Sequence, residues 1–210
     1  MSDFGPEDIG AVLQGIGSLA GAFAVGFAAW MASNTFENWR RQKISERRIE
    51  QAERILTATY KVRRGLSQVR NPMIWAHEQR AAEESLKSRD LWPLNENERN
   101  RASVEYAYYN RIDAQLDNRQ ALEECQPMAR ALFGAELEKA MDDLDRQFHL
   151  VRVYAGANAQ EGLDMNLRDE IRDALYEGYS PKSPNVMDQK ISECVRIIEE
   201  ICVPVLRLGE

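Results

Sequence analysis

The stretch from Arg70 to His77, RNPMIWAH, contains the residue types that acid–base chemistry on a phosphate would need. Arg70 is followed by the polar residue Asn71, and His77 comes after six intervening positions. An arginine can bind a phosphate, and a histidine titrates near neutral pH and can transfer a proton. The stretch is therefore a candidate site for acid–base chemistry on a phosphate.

Other side chains of catalytic type are sparse. Asp145 and His149 lie one helical turn apart, so the carboxylate could orient the imidazole, but Phe148 and Leu150 indicate the edge of a core. The cysteines are odd in number, fit no zinc spacing and fall in apolar helical patterns; they are Cys125, Cys194 and Cys202. We therefore expect reduced core cysteines, no metal and no cofactor.

An uncharged segment precedes these residues and extends from Ile9 to Asn34. The 23 residues from Ile9 to Met31 would form about 35 Å of helix, enough to cross a hydrocarbon core of about 30 Å. The acidic start, residues 1–8, lacks the basic region of a secretory signal. Because the basic stretch 39–48 follows the segment directly, the positive-inside rule predicts the N-terminus outside and the rest in the cytoplasm.

Small and polar residues share one side of this predicted span, whereas the large apolar residues lie on the other side. Close backbone approach and a few polar contacts drive the association of helices in lipid. We therefore expect a homo-oligomer, formed through Gly10, Gln14, Gly17, Ser18, Gly21, Val25 and Ala28. Gln14 and Ser18 could bond across the interface or line a narrow pore.

A basic collar follows the span: residues 37–70 hold ten Lys or Arg against four Glu. Basic groups at an anionic leaflet each gain about 1 kcal/mol. The predicted headgroup ligands are Arg40, Arg41, Lys43, Arg47 and Arg48. Alternatively, these residues only fix the topology. Nucleic-acid binding is disfavoured because glutamates interleave with them and the body beyond is acidic.

The body shows helical periodicity throughout, and no run alternates for long like a strand. A short helix is expected from about 78 to 89, a long one from about 97 that includes Leu116 and Leu122, and a third with Pro127 in its first turn. Asn185 and Asp188 predict a cap for the last helix. The clearest apolar stripe comprises Phe133, Leu137, Met141, Leu144, Phe148 and Val151. The fold class is all-α, an antiparallel bundle of four or five helices.

Two resemblances add to this interpretation. The stretch 36–73, with its ENWRRQK collar and Arg-Asn-Pro turn, and the later ALFG at 131–134, resemble a group of proteobacterial single-span proteins with a cytoplasmic helical domain, for which no activity is established. Members of that group often carry glycine-rich sequence in place of IWAH. The Arg-polar-His pattern and the layout are loosely similar to membrane-anchored, HEPN-like CRISPR accessory proteins, which implies a composite ribonuclease site at a dimer. In such a site Arg70 would hold the phosphate, His77 would move the proton and Asn71 would orient both, so this resemblance implies, as one alternative, cleavage of RNA.

The sequence therefore predicts a non-enzymatic protein of the bacterial inner membrane. Its parts would be an extracytoplasmic tip (1–8), a transmembrane helix (9–34), a basic juxtamembrane helix (35–70) and a cytoplasmic bundle (71–210). The span would contact membrane lipid and self-associate, and the bundle would sense a signal or bind a cytoplasmic protein partner. A more specialised version of this hypothesis makes the protein a membrane-perturbing or pore-forming component of stress or phage defence. The alternative is a tethered HEPN-like ribonuclease, and only then is RNA a partner.

Overall fold

The computed structural model describes residues 6–93, 95–160, 162–178 and 185–207, with the side chains of 6–20, 22, 33 and 34 left out. Within these residues all regular structure is α-helical and no strand occurs, which confirms the all-α prediction. The helices are α1 (Pro6–Val69), α2 (Ala76–Ser88), α3 (Glu96–Asp113), α4 (Leu116–Glu123), α5 (Gln126–Phe133), α6 (Ala135–Asn158), α7 (Met165–Leu175) and α8 (Val186–Arg207).

The chain divides into two compact units between Arg47 and Arg48. Helix α1 contributes to both of them. The division falls inside the predicted juxtamembrane segment 35–70, so the helical bundle begins at Arg48 and includes the last third of α1.

The first unit is helical from Pro6 onward. Its described side chains, from Gly21 to Arg47, are exposed. Among the residues that the structure describes, no helix has a stretch that is both long and apolar enough to cross a membrane. The predicted span, 9–34, falls largely on positions whose side chains lie outside those described.

The second unit is a helical bundle with one apolar core. From Gln51 onward α1 buries positions three and four apart, including Ile55, Val62 and Leu66, because this spacing places them on one face. Helix α6 supplies the predicted stripe: Leu137, Met141, Leu144, Phe148 and Val151 are fully buried, and Phe133 is partly buried against the same core. Helices α7 and α8 both pack on α6 and contact one another much less.

Two predicted helices are each broken in two, so the expected count of four or five helices is too low. The long helix after Asn97 ends at Asp113 and restarts at Leu116, which the break turns outward, leaving it 61% exposed. The next break lies at Gly134, whose φ of 100° belongs to the left-handed region that favours glycine. Pro127 lies in the first turn of α5, as predicted.

Side chains cap the N-terminal ends of α7 and α8. The Asp164 side chain accepts a hydrogen bond from the backbone N–H of Leu167 at 2.7 Å. Asn185 Oδ1 accepts from the backbone N–H of Asp188 at 3.0 Å, which confirms the predicted cap of the last helix.

Candidate functional site

Arg70, immediately after the last residue of α1, is buried and bonds to residues of both α7 and α8. Its side chain is 1% exposed, and all three of its nitrogen atoms donate hydrogen bonds. Nε donates to the carbonyl of Ala174 at 2.8 Å, and Nη2 donates to the carbonyl of Asp173 at 2.9 Å. Nη1 forms an ion pair with Asp188. Nη2 also lies 3.2 Å from Asn185 Oδ1.

This network makes Arg70 a cap for α7. The carbonyls at the C-terminal end of a helix have no partner within the helix and attract a cation. Arg70 supplies that cation, while Asp188 neutralises its charge at the first turn of α8. The backbone N–H of Glu177 also donates to the carbonyl of Arg70 at 3.1 Å. The guanidinium is therefore committed to the fold and does not present a free phosphate-binding fork.

A second arginine, Arg111 of α3, holds the loop that follows Arg70. Its Nη1 donates to the carbonyl of Asn71 and its Nη2 to the carbonyl of Met73, both at 2.6 Å. Nε donates to Glu78 Oε1 at 2.7 Å. This hydrogen bond, together with one from the backbone N–H of Trp75, lowers the pKa of Glu78, against the smaller effect of its partial burial. The loop thus has a fixed backbone.

The three predicted nuclease residues differ in their surroundings. Asn71 and His77 are exposed, whereas Arg70 is buried. The Asn71 side chain accepts a hydrogen bond from the backbone N–H of Met73 at 2.9 Å and so shapes the turn. His77 lies in the first turn of α2. The sequence pattern that suggested a phosphate site corresponds here to one buried helix cap and two surface residues.

Asp145 pairs with an arginine. Arg119 donates to its two oxygens at 2.7 and 2.9 Å, and the guanidinium carbon lies 5.2 Å from the centre of the Phe148 ring. No hydrogen bond joins Asp145 to His149 within the described residues, and His149 is exposed. The arrangement is that of a bidentate ion pair over an aromatic ring.

The cysteines are core residues, as predicted. All three are free thiols and buried: Cys125, Cys194 and Cys202. Burial raises the pKa of Cys125 and Cys194, and raises that of Cys202 to about 11. Because the thiolate is the reactive form, these thiols are poor nucleophiles at neutral pH.

The predicted oligomerisation face is only partly described. Gly10, Gln14, Gly17 and Ser18 lie outside the residues whose side chains the structure describes. The remaining members, Gly21, Val25 and Ala28, are exposed. A Cβ placed on Gly21 would meet no atom within 4 Å, so this face is open.

The predicted headgroup ligands are all exposed. Lys43 pairs with Glu46 at 2.7 Å, which lowers the pKa of that carboxyl, and Arg41 lies 3.5 Å from Glu37. The Arg48 guanidinium, in the second unit, lies 5.3 Å from the centre of the Phe133 ring. Arg40 and Arg47 form no ion pair with any described residue.

A groove between α7 and α8, floored by α6, was not predicted. It has a volume of about 610 Å³, within the range of about 300–1,000 Å³ typical of binding sites. Its apolar lining comes from all three helices: Leu150 and Tyr154 of α6, Ala174 of α7, and Val186 and Met187 of α8. Sequence periodicity could not reveal it because the groove depends on how three helices meet.

The charges of the groove are unevenly distributed. On α7, Glu170 and Asp173 line it, and neither carboxylate has a hydrogen bond or ion pair with a described residue. On the other side, Lys190 of α8 lies 3.1 Å from Asp143 of α6, and Arg146 is also present. A hydrogen bond from Lys139 and a weaker one from Lys190 lower the pKa of Asp143. The α7 side is thus an uncompensated acidic wall.

The described residues include no group of three or more His, Cys, Asp or Glu that could hold a metal ion. Comparison of the chain with protein-family models, curated proteins and solved structures finds no match.

Proposed function

We propose that the protein is anchored in the bacterial inner membrane by the N-terminal part of α1, self-associates there, and uses its bundle to bind a cytoplasmic protein. The observation that carries this proposal is an exposed apolar row in which Phe27 follows Phe23 after four positions, and Trp30 and Met31 follow Phe27 after three and four. Phe23 is 76% exposed. A contiguous apolar face of this kind is unfavourable in water and requires a covering medium.

The residues that follow match the polar boundary of a bilayer. Trp39 is exposed next to Phe36, with ring centres 6.0 Å apart, and amphipathic rings of this type favour the headgroup region. Arg40 and Arg47 are exposed and unpaired among the described residues, so their charges are available to anionic lipid. Acyl chains would cover the apolar row and headgroups would cover the collar.

Self-association is proposed on the opposite face. Exposure of Gly21 and Ala28 leaves room for the backbone of a second helix to approach closely. The matching experiment replaces both Gly17 and Gly21 with Ile and measures the mass of the full chain in mild detergent. We expect the oligomer to dissociate, because the larger side chains separate the helices. A stable monomer before substitution, or an unchanged oligomer after it, would rule out this interface.

The anchor is tested by flotation of the full chain with vesicles through a density gradient. Phe23→Asp combined with Phe27→Asp should remove most of the protein from the floating fraction, since each change loses about 2 kcal/mol of aromatic burial and places a charge that costs about 3 kcal/mol in lipid. The matched control is Val153→Asp, at an exposed apolar position of α6. Wild-type protein that stays at the bottom of the gradient would refute the anchor.

The ribonuclease alternative stays a prediction. The buried, fully engaged guanidinium of Arg70 gives it no support, because a phosphate clamp needs free donors facing the substrate. We therefore do not propose catalysis as the function.

A further inference from the structure

The groove between α7 and α8 has the form of a site for a helix. Its α6 floor extends from Asp143 to Tyr154, and the lining positions on α6 recur at helical spacing along one face. At 1.5 Å per residue this floor is about 16 Å long, or three helical turns. The two walls, α7 and α8, both pack on α6 and contact one another much less.

The floor and walls are apolar enough to accept anchor side chains. Ala174 and Met187 are buried in the core, and Leu150 is partly buried, so the floor is firm. Val186, in contrast, is largely exposed on the rim, where a bound apolar side chain would cover it. Recognition of an amphipathic helix in a groove uses such a preformed apolar floor together with a polar rim.

The charged residues that line the groove favour some partner helices over others. Glu170 and Asp173 are one turn apart on α7 and have no cation beside them among the described residues. On the facing side, Lys190 shares Asp143 with Lys139, and Arg146 of the floor has no ion pair with a described residue, so that side of the groove is basic. An arriving helix therefore gains from Lys or Arg on its α7 side, and an acidic helix is repelled there.

We propose that this groove binds an amphipathic helix of a protein partner, with apolar anchors on Leu150, Ala174 and Met187 and with basic residues beside Glu170 and Asp173. The proposal deepens the binding role proposed for the bundle and rests on it. It does not depend on the membrane anchor, because the groove lies within the second unit. A small amphipathic cation is the rival occupant.

The test uses the full chain in mild detergent and a displayed library of helical peptides of about three to four turns, randomised in both apolar and charged positions. Peptides are selected on the wild-type protein and their affinities are measured by fluorescence anisotropy. The groove variants are Glu170→Arg and Val186→Asp. Both positions are exposed, and an acidic residue in the first turn of α8 is favourable, so the fold should persist. The matched controls are Glu84→Arg on α2 and Val153→Asp on α6, also exposed.

The expected result is enrichment of peptides with apolar residues three and four apart and Lys or Arg on one flank. Each groove variant should weaken their binding by about tenfold or more, the equivalent of about 1.4 kcal/mol, whereas the controls should not. The proposal would be overturned if the enriched peptides were acidic, or if the control variants weakened peptide binding as much as the groove variants do. It would also be overturned if no peptide were enriched while dodecylammonium, a small amphipathic cation, bound the wild-type protein and failed to bind the Glu170→Arg variant. Flotation of the same variants stays at the wild-type level, so failure here is separate from failure of the anchor.

Discussion

The two parts of α1 differ in whether the protein covers their apolar side chains. From Gln51 to Val69 the helix buries one stripe against the bundle and exposes the rest. From Phe23 to Trp39 its large apolar side chains are exposed. A soluble amphipathic helix owes its stability to packing of one face, which the second part achieves and the first part does not. The bundle covers the apolar stripe of its own part of α1, whereas the described large apolar side chains of the first unit are exposed, and this contrast is the reason for proposing a membrane anchor.

The largest effect should come from removing the cap that closes the bundle. Arg70→Met leaves the terminal carbonyls of α7 and the carboxylate of Asp188 without their cation. Breaking a buried ion pair on one side typically costs about 3–5 kcal/mol. We expect a loss of that size in the free energy of unfolding, measured with urea on the full chain in mild detergent.

The control for this change is Arg63→Met, at an exposed position of the same helix. It should alter the free energy of unfolding by no more than about 0.5 kcal/mol. If the two variants were equally stable, the network around Arg70 would not contribute to the bundle as the contacts imply.

A smaller effect is expected at Gly65, where α1 approaches Gln115 closely. A Cβ there would lie 2.5 Å from Gln115 Oε1, which accepts a hydrogen bond from Asn118 at 2.9 Å. The clash should outweigh the gain in helix propensity, so Gly65→Ala should destabilise the bundle by about 1 kcal/mol. Gly26, in the first unit, has open space around it, and Gly26→Ala should leave unfolding of the bundle unchanged.

The role of Gln115 in the effect of Gly65→Ala can be tested in a Gln115→Ala background. With the obstructing side chain removed, Gly65→Ala should become stabilising by up to about 1 kcal/mol, because alanine favours the helix. A destabilisation that persists there would mean that close contact with Gln115 is not the reason for glycine at this position.

The sequence contained enough information for the helical class and for much of the core. The stripe from Leu137 to Val151 and the Asn185 cap are local patterns, and both are confirmed. The break at Ala114 carries no glycine or proline, so periodicity continued through it to Leu116. Gly134 is a local signal for the second break, but the apolar spacing from Phe133 to Leu137 spans it.

The candidate sites were harder to predict because they depend on contacts between distant segments. Arg70 pairs with Asp188, more than a hundred positions later, and no local pattern distinguishes such a cap from a catalytic arginine. The groove requires the relative placement of three helices, including the two unpaired acids of α7. The exposure of the basic collar, in contrast, could be predicted directly from its charged residues, and its lipid-binding role stays a prediction.

The central claim, that lipid covers the first part of α1 and water surrounds the bundle, is tested most directly by tryptophan quenching. Single-tryptophan versions of the full chain, with the other three tryptophans replaced by Phe, are placed in vesicles whose acyl chains carry bromine. Trp39 and Trp75 are each 54% exposed, so they form a matched pair for access to solvent, and Trp30 probes the apolar row. We predict strong quenching of Trp30, weaker quenching of Trp39 near the headgroups, and none of Trp75. Quenching of Trp30 no greater than that of Trp75 would contradict the account.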